Sequence, residues 1–196
     1  MTPVRGTTAR TLLALAVVTV GFVAYAVLAG ETPETGAVGG GGVVDVEINY
    51  ALEPKDEEQL VGFATNVFVG RVVEKVGAEG APLSGPGGEV VLRTQFSVAV
   101  LENIKGDLGG EVTVSQTGGY DGSEDRRVRV EGDPLLRPGQ ERLFVTSHDE
   151  REGWYTIVAQ PFGDVRIESE GQRPDLVERF GRARRDQIPF EPADDR

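Results

Sequence analysis

The chain of 196 residues contains no cysteine. That absence removes disulfides, thiol nucleophiles, thiolate metal sites and lipid attachment at a modified cysteine together, so stability has to come from a packed core. Histidine is nearly as scarce: His148 is the single one, and a lone imidazole cannot build a transition-metal site that needs several nitrogen or sulfur ligands. Basic residues are outnumbered, 20 Lys plus Arg against 32 Asp plus Glu, for a net charge of −12. Such a surface repels nucleic-acid phosphates and anionic headgroups, which argues against nucleic acid as a partner. Phosphate-binding loops are missing too, because the four glycines 39–42 are not followed by Lys and Ser or Thr, and Gly118-Gly119 does not open a helix. No cofactor is implied, and no internal repeat is present.

What the chain does contain begins with an uncharged run over residues 11–30, preceded by only two charges, Arg5 and Arg10. Twenty residues at a rise of about 1.5 Å make a helix of roughly 30 Å, the thickness of a bilayer's hydrocarbon core. Basic flanks stay on the cytoplasmic side, so residues 1–10 read as a cytoplasmic leader, 11–30 as a transmembrane helix or signal anchor, and the rest as extracytoplasmic. A cleavable signal is the alternative, since Ala24-Tyr25-Ala26 and Val27-Leu28-Ala29 both offer small residues at the positions a signal peptidase reads. Signals usually have an apolar core of about 7 to 15 residues, shorter than the run here, which favours a retained anchor over secretion after cleavage. Beyond it, residues 31–42 have the glycine-rich composition of a flexible linker, 43–190 the length of one domain, and 191–196 that of a frayed tail. The exported part carries 18 basic residues against 32 acidic ones.

Period-two alternation dominates the domain. Residues 67–76, 89–101, 111–117, 126–131, 142–147, 154–160 and 164–168 are rich in β-branched residues and bounded by Gly or Pro, which predicts seven short strands. Thr94, Phe96, Val98 and Val100 share one face of the second, Gln95, Ser97 and Ala99 the other; Val128 and Val130 point inward between Arg127, Arg129 and Glu131. One apolar face per strand predicts antiparallel pairing around a single core. Helical patterns occur at 54–64 and 174–185, the second with Leu176, Phe180 and Ala183 on one stripe and arginines toward its C-terminal end. The predicted fold is all-β: an antiparallel OB-like barrel of about five to seven strands with a flanking C-terminal helix.

Three segments together, residues 64–72 (ATNVFVGRV), 94–106 (TQFSVAVLENIKG) and 136–145 (LRPGQERLFV), resemble a group of secreted or membrane-tethered bacterial surface proteins of unassigned function. More distantly, the order of Val69-Gly70-Arg71-Val72, Val100 to Gly106, and Gly139 to Leu143 is similar to netrin-like and tissue-metalloproteinase-inhibitor domains. That resemblance spans residues 60–168 and implies a five-stranded OB-type barrel. The inhibitors' mechanism needs a free N-terminal cysteine on the protease zinc, and this chain has none.

Candidate sites are few. Ser147-His148-Asp149 holds the three residue types of a hydrolase triad, but in a strand His148 faces away from both neighbours, so no catalytic residue is assigned. Asp121, Ser123 and Asp125 alternate as oxygen ligands for calcium would, without the bidentate Glu of a complete loop; a solvated hairpin tip explains them as well. Trp154, Tyr155, Phe144 and Phe162 are the aromatics available for a ligand-stacking surface, with Trp154 and Tyr155 the named candidates; core packing explains them more simply, and since neighbours in a strand face opposite ways, at most one of that pair serves. With no catalytic constellation evident, the chain reads as a membrane-anchored extracytoplasmic binding or structural domain of the bacterial envelope, meeting an envelope protein or glycan. The alternative is an extracytoplasmic hydrolase or protease-inhibitor-like module.

Overall fold

In a computed structural model of the chain, the described residues are 24–28, 42–50, 52–82, 90–122 and 125–190. Among them the order of elements is β1 (Ala24–Leu28), β2 (Gly42–Tyr50), α1 (Glu57–Phe63), β3 (Asn66–Pro82), β4 (Val90–Lys105) and β5 (Glu111–Thr117), then β6 (Gly119–Asp121), β7 (Arg126–Val130), β8 (Glu141–Asp149), β9 (Trp154–Ile157), β10 (Asp164–Ile167) and α2 (Gln172–Arg185). The fold is mostly β-sheet with a C-terminal helix. Strands form where the alternation lies. The helix expected from residue 54 starts at Glu57 because Asp56 caps it, its Oδ1 accepting from the Glu58 and Gln59 amides at 2.9 and 3.2 Å.

The strands divide between a four-stranded sheet, ordered β1-β2-β7-β6, and a six-stranded sheet, ordered β10-β8-β3-β4-β5-β9. In the larger one β9 also pairs with β8, from Thr146↔Ile157 to Asp149↔Trp154, so the N-terminal half of β8 is flanked by β10 and its C-terminal half by β9. The expectation of wholly antiparallel pairing is corrected at two places: β2 runs parallel to β7, and β9 parallel to β5 through Val114↔Tyr155 and Ser115↔Thr156. Having turned back from β8, β9 meets β5 running the same way. All seven expected strands form, as β3, β4, β5, β7, β8, β9 and β10, and three further ones, β1, β2 and β6, lie outside the alternating stretches and pair chiefly with one another and with β7.

A single core is a further expectation to be corrected. Val67, Phe68 and Val69 on β3 and Leu143, Phe144 and Val145 on β8 are all fully buried, so these two strands are covered on both faces. Phe68 and Phe144, paired in register and stacked with centroids 5.3 Å apart, point into one cluster with Phe96, Val98, Val114, Leu136 and Ile157. Val67, Val69, Leu143 and Val145 point the other way, onto Leu60 and Val61 of α1 and Leu176, Phe180 and Ala183 of α2. The stripe expected on α2 is therefore the face it buries. On β4, Thr94, Phe96 and Val98 are buried as expected, and so is Gln95, which alternation had put on the polar face. Beyond Val72, β3 leaves β8 and continues as an arm paired with β4 alone, bent by register shifts at Val72/Glu74 and Lys75/Gly77.

Among the described residues no helix is long and apolar enough to cross a membrane. Most of the expected span, residues 11–23 and 29–30, lies outside the described residues, as do the leader 1–10, the linker 31–41 and the tail 191–196. The part that is described, Ala24–Leu28, is not helical but forms β1, paired antiparallel with Val46 to Tyr50.

The two-faced packing fixes what a truncation on α2 does. Phe180 is 1% exposed, so Phe180→Ala should destabilise the fold by about 3–5 kcal/mol in urea unfolding, whereas the exposed Arg182→Ala should stay within about 0.5 kcal/mol of the parent. Equal effects would mean that α2 is not docked as described.

Candidate functional site

A cleft of about 600 Å³ opens where β8 and β10 begin, bounded by the loop between β7 and β8, the turn between β9 and β10, the start of α1 and the middle of α2. Its floor is polar and buried. Arg142 on β8 and Asp164 on β10 sit diagonally across the ladder, whose register sets Arg142 opposite Arg166 and Phe144 opposite Asp164. The Arg142 Nη1 donates to Asp164 Oδ2 at 2.5 Å, with the two side chains 6% and 0% exposed. Arg142 Nε and Asp164 Oδ1 are buried with no hydrogen-bond partner among the described residues.

A second carboxylate lies near the first. Asp133 follows the tight turn at Gly132, whose φ of +75° suits glycine, and its amide donates to the Val130 carbonyl at 3.1 Å. Its Oδ2 accepts from the side-chain amides of Gln116 on β5 and Gln160 after β9, at 2.9 and 2.5 Å. Gln116 Oε1 in turn accepts from the Leu136 amide, and Gln160 Oε1 from the Thr117 amide, both at 2.9 Å. The Tyr50 hydroxyl of β2 donates to the Gln160 carbonyl at 2.8 Å, and burial together with the charge of Asp133 pushes its pKa well above the usual tyrosine range. The network ties both sheets to the β7–β8 loop and fixes the cleft wall. Each acceptor is used where the fold puts a donor, which is what a buried polar cluster requires to be tolerated.

Asp164 is thus paired with the buried Arg142 and feels the charge of the buried Asp133. Burial first, and then the nearby Asp133 carboxylate, push the Asp164 pKa up to about 8 against the opposing pull of Arg142. The rim has the opposite charge: Lys55, Arg137, Arg166 and Arg179 line the cleft, with Glu57 as the only rim carboxylate among the described residues. Arg179 pairs with Glu57 at 2.8 Å and Arg166 with the exposed Glu168 at 3.7 Å. Lys55 and Arg137 are exposed, and their side chains form no ion pair among the described residues. Apolar surface comes from Pro134, Pro161 and the half-buried Phe162. In a chain with a net charge of −12, five cationic side chains converging on one cleft are a local reversal of sign.

Of the candidate site residues singled out from sequence, only Phe162 lines this cleft. Trp154 is 6% exposed, which makes it a core residue rather than a surface anchor, and Tyr155 is half-buried with its ring 4.7 Å from that of His148. His148 itself is exposed, and Asp149 turns away to accept from the Arg151 and Glu152 amides at 3.0 and 3.3 Å, so Ser147, His148 and Asp149 form no relay. Of the calcium candidates, Asp121 lies 3.6 Å from Arg126, Asp125 accepts from the Tyr120 hydroxyl at 2.7 Å, and Ser123 lies outside the described residues. Among the described residues no three His, Cys, Asp or Glu side chains cluster as metal ligands would. The cleft residues were missed because Asp164 and Arg166 fall on the polar face of a strand that alternation alone turns toward solvent. No spacing joins Gln116, Asp133, Arg142 and Gln160; the one available signal was polar Gln116 ending an otherwise alternating strand.

No protein-family model and no curated protein matches this chain.

The raised pKa of Asp164 sets a pH dependence. Between about 4, its value in the unfolded chain, and about 8 the folded chain holds a proton the unfolded chain has lost. The group's contribution to stability is therefore complete below about pH 4 and declines as pH rises through about 8. Urea unfolding of the wild type should lose stability relative to Asp164→Asn across that window; parallel pH curves for the two proteins would contradict the assignment.

Proposed function

We propose that this chain is an extracytoplasmic binding domain of the bacterial cell envelope that recognises its partner through the basic cleft. The observation that carries the reading is the cleft itself: a concave site with a buried polar floor and a cationic rim, in an otherwise acidic protein. Sites of that kind orient ligands by a few placed polar groups, and the two glutamine amides hold one of them, Asp133, in place before any ligand arrives.

The scaffold reads as an OB-type barrel. Support comes from the circuit of pairings, β3 to β4 to β5 to β9 to β8 and back to β3, in which each strand has a neighbour on both sides. This agrees with the resemblance to netrin-like domains, and α1 and α2 cover the outer face of β3 and β8. Membrane attachment through residues 11–30 rests on the uncharged run and its basic flank. An anchor of that length requires Ala24–Leu28 to leave β2 for the bilayer, where a helix satisfies its own backbone, and β2 keeps its pairing with β7.

A hydrolase is the second reading, favoured by one observation: a carboxyl group with a pKa of about 8 in a cleft has the properties of a general acid. Binding is better supported, because the other buried carboxylate, Asp133, is occupied by two amides and His148 does not line the cleft.

Phe162 replaced by a photo-crosslinking benzoylphenylalanine should form light-dependent adducts with an envelope component in intact cells, and Arg137→Glu in the same chain should abolish them. An export-dependent reporter fused after Arg196 should be active, and a cytosolic one silent. Adducts indifferent to Arg137→Glu contradict the cleft as the binding site, and the reverse reporter pattern contradicts the address.

A further inference from the structure

We infer that the free edge of β10, where it borders the cleft, takes an extended acidic peptide segment of a partner protein as an added strand, with carboxylates at alternate positions meeting Arg166, Arg137 and Lys55. The inference rests on the reading that the cleft binds a partner, and it names that partner's chemistry.

The ladder shows which backbone groups are open. β10 ends the six-stranded sheet and pairs, among the described residues, with β8 alone. The Val145 amide donates to the Gly163 carbonyl at 2.7 Å, and this bond fixes the phase: Val165 and Ile167 turn their peptide groups toward β8, while Asp164 and Arg166 turn theirs outward. One place on the outer edge is already filled by a side chain. Gln172 Nε2 donates to the Arg166 carbonyl at 3.2 Å and its Oε1 accepts from the Glu168 amide at 2.8 Å, the two bonds that a residue of a neighbouring parallel strand would make. The next place along, the Asp164 carbonyl and the Arg166 amide, has no partner among the described residues.

The cleft lies beside that edge. It touches Arg142, Asp164 and Arg166 on one face of the β8–β10 pair and Val165, Leu60 and Phe180 on the other, and a space that meets both faces of an edge strand runs past its edge. A strand added there sends successive side chains to opposite faces. Those on the face of Arg166 meet its guanidinium, whose own partner is the exposed Glu168 at 3.7 Å, a contact weak enough to yield. Lys55 and Arg137 line the same cleft and form no ion pair among the described residues, and Asp164, which keeps its proton to about pH 8, sets no charge against a carboxylate. Side chains on the other face meet the apolar ground around Val165, Leu60 and Phe180. An acidic sugar or a phosphate matches the cations and not the ladder. A basic strand matches the ladder and is turned away by Arg166, as edge charges turn away unwanted strands. An acidic strand with aliphatic residues between its carboxylates satisfies both.

The test uses the full chain in micelles of a zwitterionic detergent at neutral pH, titrated calorimetrically with a capped hexapeptide of alternating glutamate and valine, its counterpart of lysine and valine, trigalacturonic acid and inorganic phosphate. The acidic peptide should bind ten-fold or more tightly than the others, and Arg137→Glu should weaken it five-fold or more. N-methylation of the peptide's alternate amides should abolish binding in one phase and spare it in the other, because only every second amide faces β10. Saturating peptide should slow hydrogen exchange of the Arg166 amide ten-fold or more and leave that of Val165, already bonded to β8, within two-fold. Binding indifferent to N-methylation in both phases, or an Arg166 amide left unprotected, would overturn strand addition. Equal binding of trigalacturonic acid or phosphate would overturn the peptide. An Arg166 amide protected without peptide and released by deletion of residues 191–196 would assign the edge to the chain's own acidic tail and overturn the separate partner. Failure of every probe would overturn the ligand class, and the crosslinking at Phe162, which assumes no ligand chemistry, then shows separately whether the cleft binds anything.

Discussion

Burial of β3 and β8 on both faces is the constraint from which the rest of the architecture follows. An antiparallel strand ordinarily hides one face and wets the other. Val67-Phe68-Val69 and Leu143-Phe144-Val145, paired in register, hide both, so the structure must supply a cover on each side. β4, β5 and β9 curl over Phe68 and Phe144, and the two helices close over Val67, Val69, Leu143 and Val145. Gly62 shows how close the outer layer sits: a Cβ there would collide with the Ile188 carbonyl, whose own amide donates to the Glu58 carbonyl at 3.1 Å and ties the chain after α2 back onto α1.

The cleft is a by-product of that two-sided covering. At the N-terminal end of β8 the apolar run stops at Arg142, and the face that is Phe144 one step further on becomes a guanidinium. A buried cation needs a counter-charge, and β10 supplies Asp164 from the diagonal position. Asp133 then adds a second carboxylate, bound by the two glutamine amides. The site therefore lies where a double-faced strand passes from packing to polarity, between inner and outer layers, and it draws residues from four separate stretches of chain. A single stretch could not have announced it.

How much of this was legible depends on the distance over which the determining physics acts. The boundaries of β5 and the buried stripe of α2 were readable, because Val and Thr at period two and Leu176, Phe180 and Ala183 at helical spacing are local signals. Partner choice was not. The parallel contact of β9 with β5 depends on where the chain goes after β8, and the second core depends on α1 and α2 having a covered strand to dock on. Trp154 and Tyr155 attracted attention as aromatics, yet Trp154 spends its area in packing. Gln116 and Asp133, unremarkable in sequence, fix the cleft wall because the fold brings them within hydrogen-bond reach across 17 positions.

Native-state hydrogen exchange probes the two-faced strands most directly. If both faces are sealed, the amides of Val67 to Val69 and Leu143 to Val145 exchange only through global unfolding, with protection equal to the stability measured in urea, while those of the β3 arm beyond Val72 exchange far sooner. Exchange of the β8 amides at the rate of the arm would show that the helices do not cover the strand, and the account built on that covering would fail.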